Sequence, residues 1–341
     1  MRLATQIIPT LAIVVSVTAF SIPKTSPTPK LVAQFSPPIW LENLVTLPNG
    51  TVVVCDTTNA ALYGINPHSE NPSPYLLHHF SESAAIFGIT SPAPNILVVT
   101  ASDFKFENFT TAPGTNKVYL LKLKRYGSIS NITTFPVPTA SWLNGLTFVP
   151  ESPHILLLAD CEAGAIIRLN TLTGKIDTIS TDPLLAQNFP AQPIGINGIH
   201  AHDGFAYFTN SVQSLFGRIA ITEKGLAVAG QAAEIIARPP NGSYFDDFVL
   251  DRDGTALVAT TGRFNGILKI DGDGKETVVV NGTALSNFTQ VTAVALGHVG
   301  HGGHGGRGSG QRVAYFTGAG QFFQSPLPPI GGQLFSVGLY D

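Results

Sequence analysis

The sequence predicts an all-β protein: a six-bladed β-propeller with four-stranded blades. The first support is composition. The 341 residues include 34 Gly and 25 Pro, 44% are hydrophobic and only 12% are charged. That balance fills a large core and supplies turns for many short strands, and it disfavours a helical bundle or a disordered chain. The second support is a repeat. Six stretches share one pattern: WLENLVTLPNGTVVVCD from Trp40, IFGITSPAPNILVVTAS from Ile86, WLNGLTFVPESPHILLLAD from Trp142, GINGIHAHDGFAYFTNS from Gly195, YFDDFVLDRDGTALVAT from Tyr244, and QVTAVALG with QRVAYFTG from Gln290. The third is the period. Equivalent positions in these stretches, here called X, are Glu42, Phe87, Asn144, Asn197, Asp246 and Thr292, spaced 45 to 57 residues apart. A strand-and-turn unit recurring about every 50 residues builds a propeller.

Each stretch supplies the two inner strands of a blade. A third strand follows in ALYGINP, KVYLLKL, AIIRLNT, GRIAIT, GILKID and QLFSVGLY, and weaker outer strands such as ITTFPV and ETVVV fill the gaps. LVAQF, from Leu31, precedes the first unit and is expected to complete the last blade, which removes a free sheet edge at the seam. Helices have little room.

The N-terminus reads as an address. Arg2, an apolar run from Ile7 to Val17 and the small residues around Ala19 have the order of a secretory signal over residues 1–20. Residues 21–30 form a Pro-rich linker, and 31–341 the single propeller domain. Six acceptor triplets, at Asn49, Asn108, Asn131, Asn241, Asn281 and Asn287, agree with glycosylation in a secreted or secretory-pathway protein. Cys55 and Cys161 are too few for a disulfide scaffold, although this compartment would allow them to pair. A net charge of −3 excludes a basic nucleic-acid surface. The expected partner is a small-molecule substrate, with no nucleic acid and no membrane span in the mature chain; oligomeric state is left open.

Two insertions interrupt the repeat. Asp103–Thr115 (DFKFENFTTAPGT) carries three Phe and reads either as a lid or as a glycan-capped surface loop. Gly297–Gly310 holds His298, His301 and His304 in a Gly-rich tract and reads as a flexible loop more than as a metal site. Asp271–Lys275 reads as a blade turn, since it lacks the ligand series of a calcium loop. No Gly-x-Ser-x-Gly elbow accompanies Ser141, Ser211 or Ser243, and His200 and His202 lie on or near a turn, so a serine hydrolase is disfavoured. Asp160 and Glu162 flank Cys161 and would raise its pKa, making a poor nucleophile.

The X column carries the chemistry. In a propeller these six positions face one channel. Glu42, Asn144, Asn197 and Asp246 offer two carboxylates and two amide carbonyls, hard oxygen donors suited to Ca²⁺ or Mg²⁺. Two carboxylates on one axis repel unless a cation lies between them. The alternative is a wet polar channel that binds only water. No organic cofactor is expected.

On these residues the chain resembles the SMP-30/gluconolactonase/luciferin-regenerating family. That family binds a divalent cation through a Glu of the first blade, Asn of the third and fourth, and Asp of the fifth. The matching positions are Glu42, Asn144, Asn197 and Asp246. The Asn-Gly-Leu and Asn-Gly-Ile contexts at Asn144 and Asn197 match well, whereas Trp40-Leu41-Glu42 and Asp246-Asp247-Phe248 depart from the usual motifs. The polar residues that grip a sugar lactone in that family lack clear counterparts. Trp40, Phe87, Trp142, Tyr244 and Phe245, with Thr292, form a mostly apolar expected pocket instead.

The signal segment, WLENL and FDDF look like a fungal secretory branch that includes hetero-Diels–Alderases joining a tropolone quinone methide to a sesquiterpene such as humulene. The resemblance implies a secondary-metabolite cyclase. Such a pericyclic reaction needs a near-attack pose and one electrophilic contact rather than a nucleophile. Asp246 and Asn197 are expected to be its catalytic residues. The alternative is a metal-dependent lactonase or esterase with Asp246 as base. A further alternative is a secreted, non-catalytic binding propeller.

Overall fold

In every blade the innermost strand bulges at the same place, just where its X residue turns to the channel. The computed structural model describes residues 27–124, 128–187, 194–282, 290–297, 312–320 and 330–339. The signal segment, Asn287 and the His-bearing tract 298–310 lie outside them. So does most of the linker; its last residue, Lys30, opens the first strand.

In chain order, β1 (Lys30–Gln34) comes first. Blade 1 is β2 (Leu41–Thr46), β3 (Val52–Asp56), β4 (Ala61–Ile65) and β5 (Tyr75–His79). Blade 2 is β6 (Ala85–Ala93), β7 (Ile96–Ser102), an inserted hairpin of β8 (Phe104–Lys105) and β9 (Thr110–Thr111), then β10 (Lys117–Leu123) and β11 (Ile129–Pro136). Blade 3 is β12 (Leu143–Val149), β13 (Ser152–Asp160), β14 (Ala165–Asn170) and β15 (Ile176–Ser180). Blade 4 is β16 (Ile196–His202), β17 (Phe205–Asn210), β18 (Leu215–Ala220) and β19 (Glu234–Ala237). Blade 5 is β20 (Ser243–Leu250), β21 (Ala256–Gly262), β22 (Gly266–Ile270) and β23 (Glu276–Asn281). Blade 6 is β24 (Val291–Leu296), β25 (Arg312–Gly318) and β26 (Gln333–Leu339), completed by β1. One 3₁₀ turn, Pro183–Leu185, is the helical element among the described residues.

The architecture is the expected six-bladed propeller. β1 pairs antiparallel with β26, Leu31 opposite Phe335, so an early strand closes the ring. Gln333 Nε2 donates to Gln34 Oε1 at 2.7 Å across that seam. Turn chemistry follows the sequence: Asn49 Oδ1 accepts from Thr51 N–H, and Asp271 Oδ1 accepts from Asp273 and Lys275 N–H, which makes 271–275 the β22–β23 turn.

Blades stack face to face, so their middle strands are buried on both sides. Val52 to Asp56 is buried throughout, as a continuous apolar run with both faces covered should be. A separate hydrophobic core fills each gap between neighbouring blades, joining for example Val53 and Leu62 of blade 1 to Leu97 and Leu121 of blade 2. Equivalent cores close the circle through blades 3–4, 6–1, 5–6, 2–3 and 4–5. Cys55 and Cys161 are both buried and unpaired.

A second device stitches alternate seams. Opposite the bulge, blades 2, 4 and 6 carry Thr100, Thr209 and Thr317, where blades 1, 3 and 5 have Cys55, Ala159 and Ala259. Thr100 Oγ1 accepts from Gly88 N–H and donates to Asn144 O of the next blade, both at 2.8 Å. Thr209 does the same between Gly198 N–H and Asp246 O, at 2.9 and 2.7 Å, and Thr317 Oγ1 donates to Glu42 O at 2.6 Å. The bulge glycines permit this closeness. A Cβ on Gly88, whose N–H donates to Thr100, would collide with Asn144 O, nearer than side-chain atoms pack.

Candidate functional site

The six innermost strands put the X residues at one level around the axis. Glu42, Asn144 and Asn197 are buried, and Asp246 is partly exposed. Asn197 Nδ2 donates to Asp246 Oδ1 and to Ser211 Oγ, each at 2.9 Å, and Ser211 Oγ donates to Phe245 O at 2.8 Å. The Asn144 amide lies close enough to the Glu42 carboxyl to lower its pKa. Thr292 Oγ1 lies 3.0 Å from both Leu41 O and Glu42 O, so its hydroxyl is committed to the backbone. Phe87 completes the circle.

Burial dominates the electrostatics. Loss of water pushes the Glu42 pKa up to about 8 against the opposing effect of Asn144, and the charge of Asp247 adds to the rise. Burial, then Glu42 and then Asp247, push the Asp246 carboxyl well above its ordinary range, with the Asn197 bond opposing. The Cys161 thiol is raised by burial first and Asp160 second, which agrees with its reading as a poor nucleophile.

The ring's own atoms test whether a cation fits. Glu42 Oε2, Asn144 Oδ1 and Asn197 Oδ1 are buried oxygens without a hydrogen-bond partner. Such atoms are costly when orphaned, and all three are hard donors of the kind Ca²⁺ and Mg²⁺ take. The residues therefore fit a hard divalent cation. No group of three or more His, Cys, Asp or Glu gathers among the described residues, so the candidate set is this mixed carboxylate and amide one.

An aromatic cover adjoins the ring. Ala85 pairs with Ser102, so the loop after β7 emerges beside Phe87. The inserted hairpin then packs Phe104 against Phe87 and Trp142, with ring centroids 5.2 and 4.7 Å apart. Phe87 also meets Trp142 at 5.5 Å. Phe106 and Phe109 of the same hairpin lie 6.1 and 6.4 Å from Trp40. Cys161 joins this cluster. Each Trp sits two residues before an X residue and is pinned by its backbone. Trp142 N–H donates to Asp160 Oδ1 at 3.0 Å and its carbonyl accepts from Cys161 N–H. Trp40 N–H donates to Thr58 Oγ1 at 2.8 Å and its carbonyl accepts from Thr57 N–H.

The expected pocket residues thus fall into separate places. Trp40, Phe87 and Trp142 come together and are buried, and Thr292 lies in the ring. Phe245 points instead into the core between blades 4 and 5, beside Phe216 and Phe248. Tyr244 is exposed at the surface. Asn49, Asn108, Asn131 and Asn241 are exposed and Asn281 is half-buried.

Sequence reasoning did not assign roles to Ser211, which braces Asn197, or to Asp247. Asp247 Oδ1 lies 3.3 Å from His200 Nε2, whose ring packs on Phe248 at 4.7 Å. Asn43, Thr90, His200 and Asp247 line a cavity of about 230 Å³ on the channel side of β2, β6, β16, β20 and β24. The polar residues after X in blades 1 and 5, where blades 2, 3 and 4 have Gly and blade 6 has Ala293, were the available signal.

No family model matches the chain. A protein of Phoma sp described as a "Putative hetero-Diels-Alderase" is 25% identical, over 81% of this chain and 86% of its own length. Among solved structures, a luciferin-regenerating enzyme superposes with a TM-score of 0.60 at 16% identity, covering 91% of this chain and 95% of the other. The calcium-binding protein regucalcin of Agrobacterium tumefaciens gives 0.59 at 15% identity, covering 94% and 95%. The chain is thus a propeller similar in sequence to that Phoma protein and in fold to the regucalcin-like structures.

Proposed function

We propose that the chain is a secondary-metabolite cyclase of the hetero-Diels–Alderase kind. The observation that carries this reading is the aromatic cover of Phe87, Phe104 and Trp142 set against the buried polar ring. In the proposed reaction an oxygen-containing diene adds to an alkene. One C–C and one C–O bond form as three π bonds become one, with no proton or electron exchanged. The protein's task is to hold both partners in a near-attack pose and exclude water, which supplies much of the rate. The apolar cover suits the hydrocarbon partner, a terpene such as humulene, and the ring meets the oxygens of a quinone methide. The similarity to the Phoma protein supports the same reading.

Glu42, Asn144, Asn197 and Asp246 are the residues that would hold a divalent cation. Such an ion, when bound, polarises a substrate carbonyl as a Lewis acid. Asn197 orients Asp246, and Ser211 orients Asn197. The exposed acceptor Asn residues support a secretory route for the protein.

The orphaned oxygens of the ring also favour a second reading, lactone or ester hydrolysis with Asp246 as base. Asp246→Asn separates the two. The cyclase reading expects adduct formation to persist at a reduced level and simple lactones to remain intact with either protein. Lactone hydrolysis that collapses in the variant would establish the second reading.

A further inference from the structure

Two tryptophans occupy equivalent positions of the repeat, each two residues before an X residue. Trp40 lies close to the Glu42 carboxyl and lowers its pKa. Trp142, two residues before Asn144, is 2% exposed, and its Nε1–H has no hydrogen-bond partner. A buried indole N–H without an acceptor costs stability. It can only donate, so neither a cation nor a neighbouring donor satisfies it. Its ring is fixed by Phe87 and Phe104 and its backbone by Asp160. A rigid donor in an apolar wall beside the ring is the arrangement that selects a ligand oxygen.

We propose that Trp142 Nε1–H is the hydrogen-bond donor that receives the carbonyl oxygen of the substrate. The inference rests on the cyclase reading of this site and sharpens it: the substrate is an apolar molecule that presents a carbonyl where the aromatic cover meets the polar ring, at the indole that touches both Phe104 and Phe87. A donor on the oxygen of a heterodiene draws electron density from it and favours addition of an electron-rich alkene. The hairpin β8–β9 packs on the same indole, so binding requires Phe104 to give way to the ligand.

The test uses two ligands of the same ring skeleton, the ketone zerumbone and the hydrocarbon humulene. The chain has two Trp, so the folded protein gives two indole N–H resonances, assigned with Trp40→Phe. The expected result is a downfield shift of the Trp142 resonance with zerumbone and none with humulene. The preference for ketone over hydrocarbon should fall about 5-fold in Trp142→Phe, the effect of one hydrogen bond. If that variant does not fold, the wild-type resonances decide the matter. Zerumbone binding with an unmoved Trp142 resonance overturns this inference and leaves the cyclase reading standing. Failure of both ligands to bind overturns both.

Discussion

Asn197 Nδ2 lies 2.9 Å from Asp246 Oδ1, across the seam between blades 4 and 5. The amide spends its donor on the carboxylate and on Ser211 while its own oxygen stays unpaired. That division leaves oxygen donors from both residues for a cation. Asp246→Asn and Glu42→Gln should each weaken Ca²⁺ or Mg²⁺ binding by about 10-fold or more, because affinity at such sites follows ligand charge. Calorimetric titration checks this; unchanged affinity in both variants would remove the cation from the account.

Thr209 bridges a bulge N–H to the Asp246 carbonyl of the next blade. Thr209→Val keeps the shape and removes both bonds, leaving Gly198 N–H buried. The expected loss is about 1 to 3 kcal/mol in denaturant unfolding. Ala259, at the corresponding place in blade 5, has no hydroxyl to lose, so Ala259→Val should show no such polar penalty.

Phe104 is 3% exposed and touches both Phe87 and Trp142. Phe104→Ala should cost about 3 to 5 kcal/mol, the usual range for a buried Phe. Deleting the hairpin while leaving the blade intact should weaken humulene binding more than it lowers the melting temperature. Equal humulene affinity with and without the hairpin would make it a surface ornament.

Burial pushes the Glu276 pKa from 4.5 to about 7. The folded protein keeps this carboxyl protonated where the unfolded chain ionises it. The group therefore has no effect on stability well below pH 4.5, costs increasingly as pH rises from there to about 7, and costs a constant amount above. Glu276→Gln should match wild type at pH 4 and melt at a higher temperature than wild type at pH 8, as scanning calorimetry would read.

Much of this was legible in the sequence because a propeller repeats. One register, fixed by turns such as Pro48-Asn49-Gly50 and Asp203-Gly204, places Glu42, Asn144, Asn197 and Asp246 on one axis without any knowledge of contacts. Even the closing strand at Leu31–Gln34 follows from counting strands. What was not legible depends on local bulges and long-range packing. The bulge at Asp246 sends Phe245 into the inter-blade core rather than to the channel. The three Phe of the 103–115 insertion signal an apolar burial site, but only the fold shows that Trp142 and Phe87 are what they cover. The staple of Thr209 and the bracing of Asn197 by Ser211 join residues 37 and 14 positions apart in the chain, with no motif to announce them.

The central claim is that this site joins a heterodiene to an alkene. The direct measurement is to generate a quinone methide in the presence of humulene, with and without the protein, and to analyse the adduct by chiral chromatography. Catalysis of the addition gives faster formation and one dominant enantiomer. A racemic adduct formed at the rate seen without protein would contradict it.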